Sequence, residues 1–169
     1  MIRIIFLSVL LLLPNTLIAQ QGPMGRSLTG EDFVDFQFEN LSGKKIDSDV
    51  FRKGKLLVMK MGNLSCPLCT TLLGKLGKLE KQFRNKNVVF LDVSFDEDRE
   101  ALKKHAKELG SEIETLIDPQ GLLPSYYEIQ GIPVTLIASA DEKSTILFHY
   151  VGDLAQEKLK ETIEKYLAK

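Results

Sequence analysis

The chain of 169 residues has two cysteines, two histidines and no tryptophan. A structural zinc centre needs four ligands at characteristic spacings, and His105 and His149 lie far along the chain from Cys66 and Cys69 without them. Excess charge of one sign is lacking too, with 22 Lys and Arg against 23 Asp and Glu. That balance removes the electrostatic case for a nucleic-acid partner and favours a protein or a small thiol. Nor is any stretch a comfortable bilayer span, which takes about 20 apolar residues.

The apolar run Ile4–Leu13, broken only by Ser8, follows Arg3 and precedes Pro14-Asn15-Thr16-Leu17-Ile18-Ala19. This is the layout of a secretory signal peptide, so residues 1–19 are expected to be removed and the mature chain to begin near Gln20, in a periplasmic or other exported space. Membrane anchoring by an uncleaved N-terminus is the lesser expectation; it stays open because Leu17 is not the small residue usual three positions before a cut after Ala19. No cysteine follows the signal to take a lipid.

What remains is one domain's length of chain, large enough to form a core without disulfide staples. Residues 20–32, with three glycines and Pro23, read as a flexible lead-in, and 33–169 as the domain. Phe33–Phe38 alternates like a half-buried strand and turns at Asn40–Lys44 into Lys45-Ile46, a small hairpin. Leu56–Met59 and Asn87–Val93 are continuous apolar runs, the mark of strands buried on both faces. Leucines at 68, 72, 76 and 79 with Phe83 carry a helical stripe across Gly74 and Gly77, where a bend is expected. Asp96–Arg99 opens a further helix that Gly110 closes, and its Lys103, Lys104, His105 and Lys107 read as a solvated face. Glu114–Ile117 suits a short strand, Leu122–Ile129 a short helix, Pro133–Ile137 and Thr145–Val151 an antiparallel pair, and Ala155–Leu167 a last helix. Helices alternating with buried strands predict an α/β domain with a central mixed sheet and helices on both faces.

Chemistry concentrates at Cys66-Pro67-Leu68-Cys69, between the first buried strand and the leucine-striped helix. Pro67 suits the first helical position, which places Cys66 at the helix start and Cys69 one turn on, near enough for a disulfide to open and close in place. Free N–H groups and the positive end of the helix favour Cys66 as a thiolate, so Cys66 is the candidate nucleophile and Cys69 the resolving thiol. A bond closing so small a ring restrains little of the unfolded chain, which argues against a purely structural use.

With Gly131-Ile132-Pro133-Val134-Thr135 following later, the chain resembles the thioredoxin fold, in its exported TlpA/ResA-type branch of the redoxins. The hairpin around Phe36–Ile46, the Lys53-Gly54-Lys55 turn, the inserted strand and helix Val88–Leu109, and Leu116–Gly121 follow that layout. The resemblance implies a cis peptide at Pro133, facing the CxxC pair, and backbone groups of Ile132 that hold an extended substrate. It implies a thiol–disulfide oxidoreductase working as a reductant, with protein thiols and disulfides as substrates, an upstream redox partner that can be membrane-bound, and no cofactor or metal.

The chain departs from the family at two points. Ser65 stands where a tryptophan is usual, and the positions at which a buried acid assists the resolving cysteine are Lys60 and Leu72. Lys60 is either a strand residue whose amine snorkels to solvent, the reading its residue type favours, or a group that tunes a thiolate by its charge or acts as a base. Glu80 and Asp92 are further acids whose place is open. The competing readings are a thiol peroxidase, for which Asn63 stands where a threonine is required, and a metallochaperone or other non-enzymatic binding module using Cys66 and Cys69.

Overall fold

The structure, a computed structural model, describes residues 26–168. The expected signal peptide and residues 20–25 of the lead-in lie outside that range. Seven strands and five helices follow in the order β1 (Gln37–Asn40), β2 (Lys45–Asp47), α1 (Ser48–Arg52), β3 (Leu56–Gly62), α2 (Pro67–Phe83), β4 (Val88–Ser94), α3 (Arg99–Leu109), β5 (Glu114–Ile117), α4 (Leu122–Tyr126), β6 (Val134–Ala138), β7 (Ile146–Val151) and α5 (Gln156–Leu167).

The two longest apolar strands take the middle of one mixed sheet of order β2-β1-β5-β4-β3-β6-β7. β3 runs parallel to β4 and β4 to β5, whereas β6 is antiparallel to β3 and β7 to β6. Hairpin β1–β2 joins antiparallel to β5 through Glu39 and Asn40. Alternation along β3 feeds two cores, one on each side. Leu56 and Val58 pack with Leu72, Leu76 and Leu79 of α2 and with Leu159 and Ile163 of α5. Leu57, Met59 and Met61 face the other way, among Leu91, Val93, Leu123 and Tyr127. Since β3, β4 and β5 are parallel, their C-terminal ends share one edge of the domain with the start of α2 and the start of β6.

Several boundaries differ from the sequence expectation for identifiable reasons. β1 begins only at Gln37, because the preceding amides are used elsewhere: Phe33 N–H goes to Ser144 O, Val34 N–H to Tyr127 Oη and Phe36 N–H to Ser48 Oγ. Asp47 caps a short helix, α1, by accepting from Asp49 N–H and Val50 N–H, in a stretch where the sequence pattern predicts no helix. α2 runs without interruption through both glycines, and Gly77 serves close packing, since a Cβ there would stand 3.3 Å from Ser111 Oγ. α4 ends at Tyr126, short of Ile129.

Packing also reaches back into the lead-in. Leu28 is buried in the core, Gly30 N–H donates to Ile146 O, and Leu28 N–H donates to His149 Nδ1 at 3.4 Å. The other ring nitrogen of His149 is buried and has no hydrogen-bond partner among the described residues. Burial lowers the pKa of His149 from its ordinary 6.5, Arg26 lowers it further, and Glu31 opposes both. The unfolded chain therefore takes up the proton more readily than the folded one, so this contribution to stability is complete above the ordinary histidine value and lost as pH falls below it. Melting temperature is expected to drop between about pH 7.5 and about pH 5.5, and to drop less in His149→Gln. Parallel curves for the two proteins would exclude the buried imidazole as the cause.

Candidate active site

The loop that carries the first cysteine is held by one acid. Asp96 Oδ2 accepts from Leu64 N–H at 2.7 Å and from Ser94 Oγ at 2.9 Å, while Gly62 O accepts from Phe95 N–H. β3 thus hands the chain over to α2 in a fixed place. Cys66 is the N-cap of α2, its Sγ accepting from Cys69 N–H at 3.1 Å, and Pro67 takes the first helical position, where no N–H is missed. Cys66 and Cys69 form a disulfide with a Cα–Cα distance of 5.2 Å.

The two sulfurs are not equivalent. Cys66 is half-buried and flanked by exposed Ser65, Pro67 and Leu68, whereas Cys69 is 1% exposed and turned into the protein. A thiol or disulfide from outside could reach Cys66 and not Cys69. Leu68, 51% exposed between them, gives the outer face of the pair an apolar element.

Gly62 is needed at the inner face. A Cβ at that residue would lie 2.6 Å from Cys69 Sγ, 3.2 Å from Cys69 Cβ and 3.3 Å from Lys60 Cε, so no side chain fits between the disulfide and the strand beneath it. Pro133 is buried, and the Ile132–Pro133 peptide is cis, as the family resemblance implies. It precedes Val134, the partner of Met61, so the sheet register sets Pro133 at the same end as Gly62. Ile132 is partly exposed, and among the described residues its backbone N–H and C=O take no hydrogen-bond partner.

Lys60 does not reach solvent. It points to the α2 side of the sheet, as alternation from Leu56 and Val58 requires, and its Nζ donates to Asp92 Oδ1 at 2.8 Å; the two side chains are 4% and 3% exposed. The covering α2 leaves the amine no outlet, and the neighbouring strand supplies a counter-charge in its place. Residues in register across the sheet complete a polar row, Thr115, Asp92, Lys60 and Thr135, in which Thr115 Oγ1 donates to Asp92 Oδ2 at 3.5 Å and Thr135 Oγ1 has no partner among the described residues.

His105 departs from the solvated face expected of its helix: it is partly buried and its Nε2 lies 3.3 Å from Thr70 Oγ1. Its spacing from Leu102 and Leu109 on α3 is the signal that could have placed it inward. Glu80 is paired with Arg84 about three turns along α2 from Cys69 and takes no part. Among the described residues no group of three or more His, Cys, Asp or Glu is placed to hold a metal ion, and no helix is long and apolar enough to cross a membrane.

Comparison with known proteins agrees with this geometry. The model of the AhpC/TSA family matches residues 29–155. The thiol-disulfide oxidoreductase ResA of Halalkalibacterium halodurans is 22% identical over 135 residues, 80% of this chain and 75% of that protein. The thioredoxin domain of a thiol-disulfide oxidoreductase from Bacteroides vulgatus superposes with a TM-score of 0.71 at 22% identity, covering 82% of this chain and 97% of that one. A secreted Mycobacterium tuberculosis disulfide oxidoreductase gives a TM-score of 0.66 at 21% identity over 77% of this chain and 95% of that one. The fold they share with this chain is thioredoxin-like.

Proposed function

Because the chain belongs to the AhpC/TSA family, with a TlpA/ResA-type thioredoxin-like fold, we propose that it is an exported thiol–disulfide oxidoreductase that delivers electrons to protein disulfides through Cys66 and Cys69. The observation that carries this reading is a disulfide closed across the first turn of α2, with one sulfur reachable and the other buried. Cys66 attacks the substrate disulfide, a mixed disulfide forms, and Cys69 resolves it.

Pro133 and Ile132 are the proposed substrate platform. The open backbone of Ile132 suits an extended segment that adds to the sheet edge, and Leu68 offers apolar contact beside Cys66. An upstream, membrane-bound dithiol donor would return the pair to the reduced state. Export follows from the signal-like residues 1–19.

The test is the reduction potential of the Cys66–Cys69 couple, measured by equilibration against glutathione with a thiol-alkylation readout. A value well below the glutathione couple supports the reducing role, and one near the oxidising end of the family, about 150 mV higher, makes the protein a disulfide donor. If no reversible bond forms at any poise, the oxidoreductase reading fails and metal binding by the two thiols takes its place.

A further inference from the structure

Cys69 resolves the mixed disulfide from a place that bulk water does not reach, and burial disfavours the charged thiolate that this step needs. Something inside the protein must take its proton. β3 and β4 each carry one charged residue, and their parallel register sets Lys60 beside Asp92 on the face that α2 covers. A buried ion pair is a poor source of stability, since apolar residues of similar volume serve as well or better, so packing alone does not explain its position.

That position is directly beneath the disulfide: one point, where a Gly62 Cβ would stand, lies within contact of both Cys69 Sγ and Lys60 Cε. Cys69, Lys60 and Asp92 also line one cavity of about 10 Å³, room for about one water. Around that cavity α3 supplies one more titratable group, His105, while β5 contributes only the hydroxyl of Thr115.

We propose that Lys60 relays the proton of the Cys69 thiol to Asp92; this rests on the oxidoreductase reading and concerns its resolving step. A proton on Lys60 Nζ moves along the existing hydrogen bond to Asp92 Oδ1, and the freed lone pair on Nζ accepts the proton from Cys69 Sγ. Cys69 is then a thiolate beside an ammonium, and Asp92 a neutral acid. The thiolate attacks Cys66 Sγ and forms the Cys66–Cys69 bond, and the bond from Cys66 to the substrate sulfur breaks, its electron pair leaving with that sulfur. The dithiol has lost two electrons, the substrate disulfide has gained them, and the proton on Asp92 returns to the departing thiolate or to solvent. Lysine here stands between thiol and carboxylate, and its positive charge faces the thiolate at the moment of attack.

The experiment uses the reduced protein and dithiobis(nitrobenzoate), which releases one coloured thiolate when Cys66 attacks and a second when Cys69 resolves. Lys60→Arg separates charge from relay, because a guanidinium keeps the cation but does not give up a proton. In Lys60→Arg and in Asp92→Asn the second phase near neutral pH is expected to slow on the order of a hundredfold, to recover at alkaline pH where hydroxide takes the proton, and to change far more than the first phase. A wild-type second phase in Lys60→Arg overturns the relay, as does an equal shift of the pH profile in His105→Asn alone.

Should the single variants fail to fold, Lys60→Gln combined with Asp92→Asn strands no charge and carries the same expectation, with an unchanged second phase again the refuting result. If the wild-type protein releases no second equivalent at any pH, the oxidoreductase reading itself fails. A normal wild-type profile that the variants reproduce removes the relay alone.

Discussion

Cys69→Ser is expected to turn the protein into a trap that accumulates a mixed disulfide with its substrate through Cys66, while Cys66→Ser forms none. The cause is the geometry at the start of α2. Cys66 is half-exposed and open to outside sulfurs, and Cys69 sits buried one turn away, placed to attack only from within. Well-oriented intramolecular groups act at effective concentrations of about 10⁵ M or more, against millimolar external thiols, so turnover in Cys69→Ser should fall by at least about a thousandfold. Non-reducing gel mobility and mass spectrometry after mixing with a disulfide-bonded substrate would show the adduct. Rapid turnover by Cys69→Ser, or a stable adduct on Cys66→Ser, would reverse the assignment of the two cysteines.

The second large effect is on stability. Asp92→Leu leaves the Lys60 ammonium buried without its counter-charge, a change that costs about 3–5 kcal/mol in comparable sites. For a domain of this size that is a fall in melting temperature of roughly 10 °C. Lys60→Met together with Asp92→Leu removes both charges, and its stability should return to within about 1 kcal/mol of the wild type or exceed it. Thermal unfolding of the two singles and the double closes the cycle. A double variant as unstable as Asp92→Leu would mean that the pair contributes more than its charges cost. Such a doubly apolar protein is also expected to keep its fold and lose the neutral-pH resolving step, which separates what the pair does for folding from what it does for chemistry.

How much of this was legible beforehand depended on whether a feature is local. The CxxC at the start of α2 follows from neighbouring residues alone: an apolar strand, Pro67 at the first helical position, and leucines one turn apart. The cis bond at Pro133 came from the family resemblance, since nothing in the flanking residues distinguishes it. Helix α1 is not legible although Asp47 is a ready N-cap, because five residues give too short a period to read. The start of β1 differs from the expected one because alternation in Phe33–Phe38 describes burial, whereas a strand depends on amides that here go instead to Ser144, Tyr127 and Ser48.

Lys60 departs from the snorkelling its residue type favours for a different reason. Its partner lies 32 residues away, and only the register between two strands reveals it. A signal did exist. β3 and β4 are both seven residues long, both apolar, and each has its single charge at the fifth position, with opposite signs. Two such strands placed in parallel predict their own pairing.

That coincidence also constrains how the chain can assemble. Sliding β4 against β3 by two residues, the smallest slip that keeps every side chain on its proper face, would set Lys60 opposite Phe90 or Ser94 and Asp92 opposite Val58 or Gly62. Both charges would then be shut beneath α2 with nothing to neutralise them, a loss of several kcal/mol that the otherwise interchangeable Leu, Val, Met and Phe contacts could not recover. Aliphatic strands match one another in many alignments; these two carry a key, and among parallel alignments only the native one turns it.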